Sequence, residues 1–185
     1  MIPTRRSGGA DAAAEVVRRL TAAHRTVAVA ESLTGGRVMA TLVDVPGASA
    51  VVRGGVVAYA TPLKSSLLGV DTSLLAARGP VDPAVAAAMA EGARRTAAVE
   101  GTPADVGLAT TGVAGPDAQG GAPVGLVFVA VADDAGTEVR ELRLEGDRET
   151  IREAAVGAVL ALLLERLIAR ARAESERLNF DASRE

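Results

Sequence analysis

Four stretches of the chain carry side chains able to do chemistry. The first is Glu31-Ser32-Leu33-Thr34-Gly35-Gly36. A serine there can serve as a nucleophile, and the two glycines let a ligand approach the backbone. The N–H groups of a helix start can receive an oxyanion or a phosphate. The same stretch also reads as a plain helix start capped by Ser32 or Thr34. The second pairs Tyr59 with Lys64. Of 20 lysines and arginines, Lys64 is the only lysine, and Tyr59 is the only tyrosine. A desolvated lysine can lose its proton and act as a general base, which arginine cannot. A phenol can relay a proton or donate to an oxyanion. The bland alternative is a surface lysine beside a half-buried strand tyrosine. The third stretch is Thr111-Gly112-Val113-Ala114-Gly115-Pro116, whose glycines could cradle a phosphate or ribose. It is neither a Walker A loop nor a dinucleotide fingerprint. The fourth holds Arg148 and Arg152, four apart and so on one helical face, able to grip phosphate or carboxylate. Its plainer reading is an Asp147 cap before a solvated helix face.

Composition narrows the chemistry. The chain has 185 residues, no cysteine and one histidine, His24. Disulfides, a cysteine nucleophile and a thiolate or histidine metal site are excluded. Ser32, Tyr59 and Lys64 together outline a Ser–Lys–Tyr hydrolase, an alternative to the histidine triad. His24 closes the first predicted helix, where a partly positive ring suits the dipole, and it receives no catalytic role. A net charge of −3 and 2% aromatic residues argue against a nucleic-acid partner. Residues 1–10 carry two arginines with no apolar run behind them, unlike a secretory signal. The run Ala154–Leu164 is too short to span a bilayer. A cytoplasmic location without a membrane partner is expected.

These residues need elements to position them. Periodicity predicts helices over 11–24, 36–44, 62–68, 71–78, 81–98 and 147–173. It predicts strands over 27–31, 55–60 and 105–110, then a hairpin of 126–132 and 138–145 around the DDAGT turn. The long loop 111–125 is the first place to look for a binding site. The stripe Ile151, Val156, Val159, Leu160, Leu163 and Leu167 reads as core or dimer interface, not a cofactor box. Helices alternating with strands imply an α/β fold, a three-layer α/β/α sandwich on a mixed, mostly parallel sheet. One domain is expected over 1–185, with a core of about 11–173 and flexible tails at 1–10 and 174–185.

In order along the chain, these motifs resemble the CinA C-terminal family, the nicotinamide-nucleotide amidohydrolases. ESLTGG is similar to the family's E-S-C-T-G-G, and Tyr59 with Lys64 to its Y-x-x-x-x-K. Gly79-Pro80-Val81 and Met89-Ala90-Glu91-Gly92-Ala93 resemble its G-x-V and M-A-x-G-A. TGVAGP with Pro123-Val124-Gly125 matches T-G-x-A-G-P and P-V-G, and Gly146-Asp147-Arg148 with Arg152 is similar to G-x-R-x-x-x-R. The matches cover about residues 12–170. The resemblance implies hydrolysis of nicotinamide mononucleotide to nicotinate mononucleotide and ammonia, with no metal or other cofactor. It implies catalytic roles for Ser32, Tyr59 and Lys64. It places Glu31, Thr34, Gly35, Gly36, Thr111, Gly112, Gly115, Arg148 and Arg152 around the substrate, and it implies a homodimer. Leu33 replaces the family's cysteine. DAQGGA at 117–122 departs from D-G-G-T-x-x-K and lacks the lysine before P-V-G. The N-terminal domain of longer CinA proteins is not expected in these 185 residues. The alternative reading is a regulatory module that binds a nucleotide without cleaving it and serves competence or the DNA damage response.

Overall fold

The computed structural model describes residues 8–182. Five strands build one sheet: β1 (Val27–Glu31), β2 (Val52–Val57), β3 (Val106–Gly112), β4 (Leu126–Asp133) and β5 (Gly136–Arg143), in the order β2-β1-β3-β4-β5. β1 pairs in parallel with β2 and β3, and β4 is antiparallel to both β3 and β5. Only β4 therefore runs against the others, and the sheet is mixed as expected. The helices are α1 (Gly8–Ala22), α2 (Arg37–Val43), α3 (Thr61–Leu68), α4 (Thr72–Arg78), α5 (Pro83–Thr96) and α6 (Arg148–Ala182), with one 3-10 turn at Ala48–Ala50.

The strands alternate large and small side chains, and this sorts the layers. Val27, Val29, Leu108, Val127 and Val129 point to one face, where α1, α2 and α6 complete a core. Ala28, Ala30, Ala109, Ala130 and Ala132 point to the other, under α5. Small residues there let α5 lie close. A Cβ at Gly107 of β3 would sit 2.0 Å from the Ala90 carbonyl oxygen of α5. On its other side α5 abuts α3, since a Cβ at Gly92 would sit 2.2 Å from the Leu68 carbonyl oxygen. The architecture is the expected α/β/α sandwich.

Element ends differ from the sequence reading for local reasons. β2 starts before its glycine pair. Gly55 is the point where α2 rests on the strand, and a Cβ there would lie 2.6 Å from Met39 Cε. Tyr59 consequently stands two residues beyond the strand end. α1 stops at Ala22, and His24 takes a left-handed φ of 51°. The N–H groups of His24 and Arg25 turn back to Thr21 and Leu20 carbonyls, so His24 closes the helix by backbone geometry, not by ring charge. The apolar stripe of α6 lies in the core. That helix continues past the stripe's end to Ala182, with Arg170 and Glu174 paired at 2.9 Å one turn apart. Residues 8–10 and 174–182, read as tail, are thus helical, and the remaining tail assignments at 1–7 and 183–185 lie outside the described residues.

The α3–α5 contact gives a test with an unusual sign. Gly→Ala in a helix interior ordinarily stabilises by about 1 kcal/mol. Gly92→Ala is expected instead to destabilise by roughly 2 kcal/mol or more, because backbone cannot move out of the way of the new methyl. Urea denaturation with a two-state fit checks it.

Candidate active site

The loop after β1 is fastened from behind. Glu31 is 1% exposed, and its carboxylate accepts the N–H groups of Gly36 (2.9 Å), Val38 (3.1 Å) and Met39 (2.9 Å). A negative charge thereby caps α2 from five residues upstream, where the helix dipole favours it. Neither Ser32 nor Thr34 caps that helix. Thr34 is buried, and its hydroxyl meets that of Thr110 at 2.7 Å. Arg152 reaches across from α6 and donates to the carbonyls of Leu33 and Thr34, each at 2.8 Å. Burial, with Arg37 and Arg148 nearby, pulls the Arg152 guanidinium below its usual range. The side chain of Leu33 packs into the core beneath. Ser32 is left half-buried on top, its own N–H bonded to the Thr110 carbonyl at 3.0 Å. The N–H groups of Leu33 and Thr34 meet no acceptor among the described residues.

Lys64 is the outlier of the molecule. It sits in α3, starts from an exposed-looking TPLKSS sequence, and is 1% exposed. Its Nζ has two partners, the Ala58 carbonyl and Met89 Sδ, both at 3.5 Å. No carboxylate among the described residues pairs with it. Burial without counter-charge brings the ammonium down to about 8 from the ordinary 10.5. Lysine therefore reaches its neutral form near physiological pH, as a general base requires.

Tyr59 behaves differently from both. It is 60% exposed, and its phenol oxygen accepts a hydrogen bond from Arg148 Nη2 at 2.8 Å. Arg148, at the start of α6, also donates to the Gly115 carbonyl at 2.6 Å. Asp147 caps α6 through the Thr150 N–H at 2.8 Å. The arginine thus ties the tyrosine to the loop after β3. Just before that loop, near the end of β3, the Thr111 hydroxyl donates to the Pro80 carbonyl at 2.7 Å. Gly115 adopts φ 83°, and the Gly115–Pro116 bond is cis.

Ser32, Tyr59, Lys64 and Arg148 line one cavity of about 90 Å³ with Thr111, Gly112 and Gly115. It opens at the carboxyl ends of β1, β2 and β3, where ligands bind in α/β sheets. Glu31, Thr34, Gly35, Gly36 and Arg152 are not on its wall, and the first, second and last of these hold the loop that is. Sequence reasoning singled out neither Asp117 nor Gln119 as site residues, yet both line the cavity. Their place in the longest loop was the available signal. Among the described residues, no cluster of three or more acidic or histidine side chains could hold a metal ion. No described helix is long and apolar enough to cross a membrane. A larger groove of about 600 Å³ lies at the opposite end of the sheet, but nothing on its wall is a serine, lysine or tyrosine. Its arginines pair with carboxylates, Arg18 and Arg19 with Glu15, Arg94 with Glu91, Arg25 and Arg170 with Asp134, and only Arg25 Nη1 is left buried without a partner among the described residues.

A family model, the CinA C-terminal domain, matches residues 9–167. The chain belongs to that family. A CinA-like protein of Frankia casuarinae is 51% identical over 158 residues, 84% of this chain and 35% of the relative. One of Geobacter sulfurreducens is 46% identical over 146 residues, 77% of this chain and 34% of the relative. The chain spans about a third of the length of these curated relatives. Solved structures match along nearly their whole length. A competence/damage inducible protein, CihA, from Agrobacterium tumefaciens superposes with a TM-score of 0.81 at 32% identity, covering 89% of this chain and 98% of that one. The competence damage-inducible protein A of Klebsiella pneumoniae gives 0.80 at 34%, covering 86% and 97%.

The Glu31 carboxylate should be the strongest single tie in this CinA domain's loop. Glu31→Ala strands three N–H groups that share a charge-assisted acceptor, and a loss of roughly 2–4 kcal/mol is expected. Chemical denaturation measures it. A loss under about 0.5 kcal/mol, the level of a neutral surface change, would refute the assignment.

Proposed function

We propose that the chain is an amidohydrolase that converts nicotinamide mononucleotide and water to nicotinate mononucleotide and ammonia. The observation that carries this reading is Lys64, buried without a counter-charge on the same cavity as Ser32. In the proposed reaction neutral Lys64 takes the Ser32 hydroxyl proton, and Oγ bonds to the carboxamide carbon. The carbonyl electron pair moves to oxygen, which the Leu33 and Thr34 N–H groups receive. The proton passes to the leaving nitrogen, with the Tyr59 phenol in the relay. The C–N bond breaks and ammonia departs. Water then attacks the acyl ester, gives its proton back through Lys64, and frees Ser32. A volume of about 90 Å³ falls well below the roughly 300–1,000 Å³ of sites that enclose a whole ligand. The ring and carboxamide therefore enter, and the ribose phosphate lies across the mouth near Arg148.

The names of the matched proteins, which speak of competence and damage, favour a second reading as a nucleotide-binding module. A binder that performs no proton transfer has no use for a buried amine held near neutrality. Ammonia release from nicotinamide mononucleotide by the wild type but not by Ser32→Ala supports the hydrolase. No release from the folded wild type, with calorimetric binding intact, supports the module.

Two pH experiments follow from Lys64. Only its neutral form accepts a proton, so kcat/KM is expected to rise with pH through about 8 and then level off. Lys64→Arg is expected to lose a hundredfold or more, roughly the worth of a general base; full retained activity would refute the role. For stability, the folded value lies below the unfolded one. Below about pH 8 both states are protonated and the folded state bears the full burial penalty. Between about 8 and 10.5 the folded state sheds its proton first, so stability from this group rises with pH. Lys64→Met should therefore stabilise the inactive protein most below pH 8, by up to roughly 3 kcal/mol, with the gain fading between about pH 8 and 10.5 and gone above that.

A further inference from the structure

The cavity's charges are unequal in kind. Lys64 tends to neutrality, and Arg148 is already engaged by Tyr59 and the Gly115 carbonyl. Among the described residues Asp117 is the only carboxylate on the wall, and it has no hydrogen bond or ion pair there. The chain presents it deliberately. Two residues before it, Gly115 is held by Arg148. Two residues after it, Gln119 and Ala122 exchange backbone hydrogen bonds of 3.1 and 2.9 Å around Gly120 and Gly121, both in the left-handed region. That is a two-residue turn which only such backbone closes, and Ala122 at its far end is buried. Asp117 thus stands between two fixed points on the wall of the site.

An unpaired carboxylate there repels a phosphate-bearing substrate unless the substrate brings a positive charge of its own. The oxidised nicotinamide ring of a nucleotide is a pyridinium cation. The reduced ring is a neutral dihydropyridine of nearly the same shape, with the same carboxamide, ribose and phosphate. We propose that Asp117 is a specificity residue that recognises the cationic ring, so that the site accepts oxidised nicotinamide mononucleotide and rejects the reduced form. This rests on the amidohydrolase reading of the cavity. A carboxylate beside the bound ring gains attraction as the ring displaces water from the cavity.

Calorimetry in a Ser32→Ala background, where no turnover interferes, compares the two redox forms directly. The oxidised nucleotide is expected to bind about tenfold more tightly than the reduced one. Adding Asp117→Asn should bring the two within about twofold by weakening the oxidised form alone, and Asp117→Glu should restore the preference. A structural role for Asp117 would weaken both forms equally, and that result overturns the proposal, as does a preference that survives Asp117→Asn. Parallel ammonia assays on the wild type separate the two readings. Hydrolysis of the oxidised form with an unchanged preference in Asp117→Asn overturns only the Asp117 assignment. Absence of both binding and hydrolysis overturns the amidohydrolase reading with it.

Discussion

An amine in a dry place with no acid beside it is the constraint around which this molecule is arranged. Water must be kept from Lys64, yet no carboxylate can be allowed to pair with it, since pairing would lock the proton on. The fold meets both conditions with packing. α5 brings Met89 against the amine, and it can do so because the sheet face beneath it, Phe128 apart, is mostly alanine and glycine. At Gly92 the same helix is narrow enough to press on α3, the helix that carries the lysine. Small residues on three strands and on α5 therefore serve one ammonium. The unfavourable burial persists because the two cores on either side of the sheet outweigh it.

The other half of the site solves an opposite problem. A loop carrying a nucleophile has to be still without its reactive groups being consumed. Here the fastening is done by groups that face away from the cavity. Glu31 gathers three amides, Thr34 locks to Thr110, and Arg152 holds two carbonyls. All are buried or half-buried, so each bond acts in a low-dielectric setting where its loss would leave a stranded partner. The division is between residues that hold and residues that face the ligand.

That division explains what could and could not be read from the sequence. The three layers and the mixed, mostly parallel sheet followed from alternating elements, and Ser32, Tyr59 and Lys64 were legible from residue type and rarity. Glu31 and Arg152 stand inside the right motifs, but a motif does not tell a ligand contact from a backbone tie. Both are ionic side chains near a glycine turn, and only the partner atoms separate the two uses. The helical character of 174–182 was hidden because those residues have no apolar stripe, and periodicity is the signal by which a helix is seen. Asp117 was overlooked for a related reason. Its place depends on where Gly115 and the Gly120–Gly121 turn send the chain, which is a property of backbone angles and not of spacing.

A trans peptide unit is a rigid plate whose C=O and N–H point in opposite directions. Arg152 grips the Leu33 oxygen, and that oxygen belongs to the same plate as the Thr34 amide hydrogen. Fixing one end of the plate sets the heading of the other, away from the guanidinium. The arginine thereby steers a hydrogen it never touches, through a lever that has no rotamers to lose. Such a donor is aimed before any ligand arrives, with the main chain itself as the aiming device.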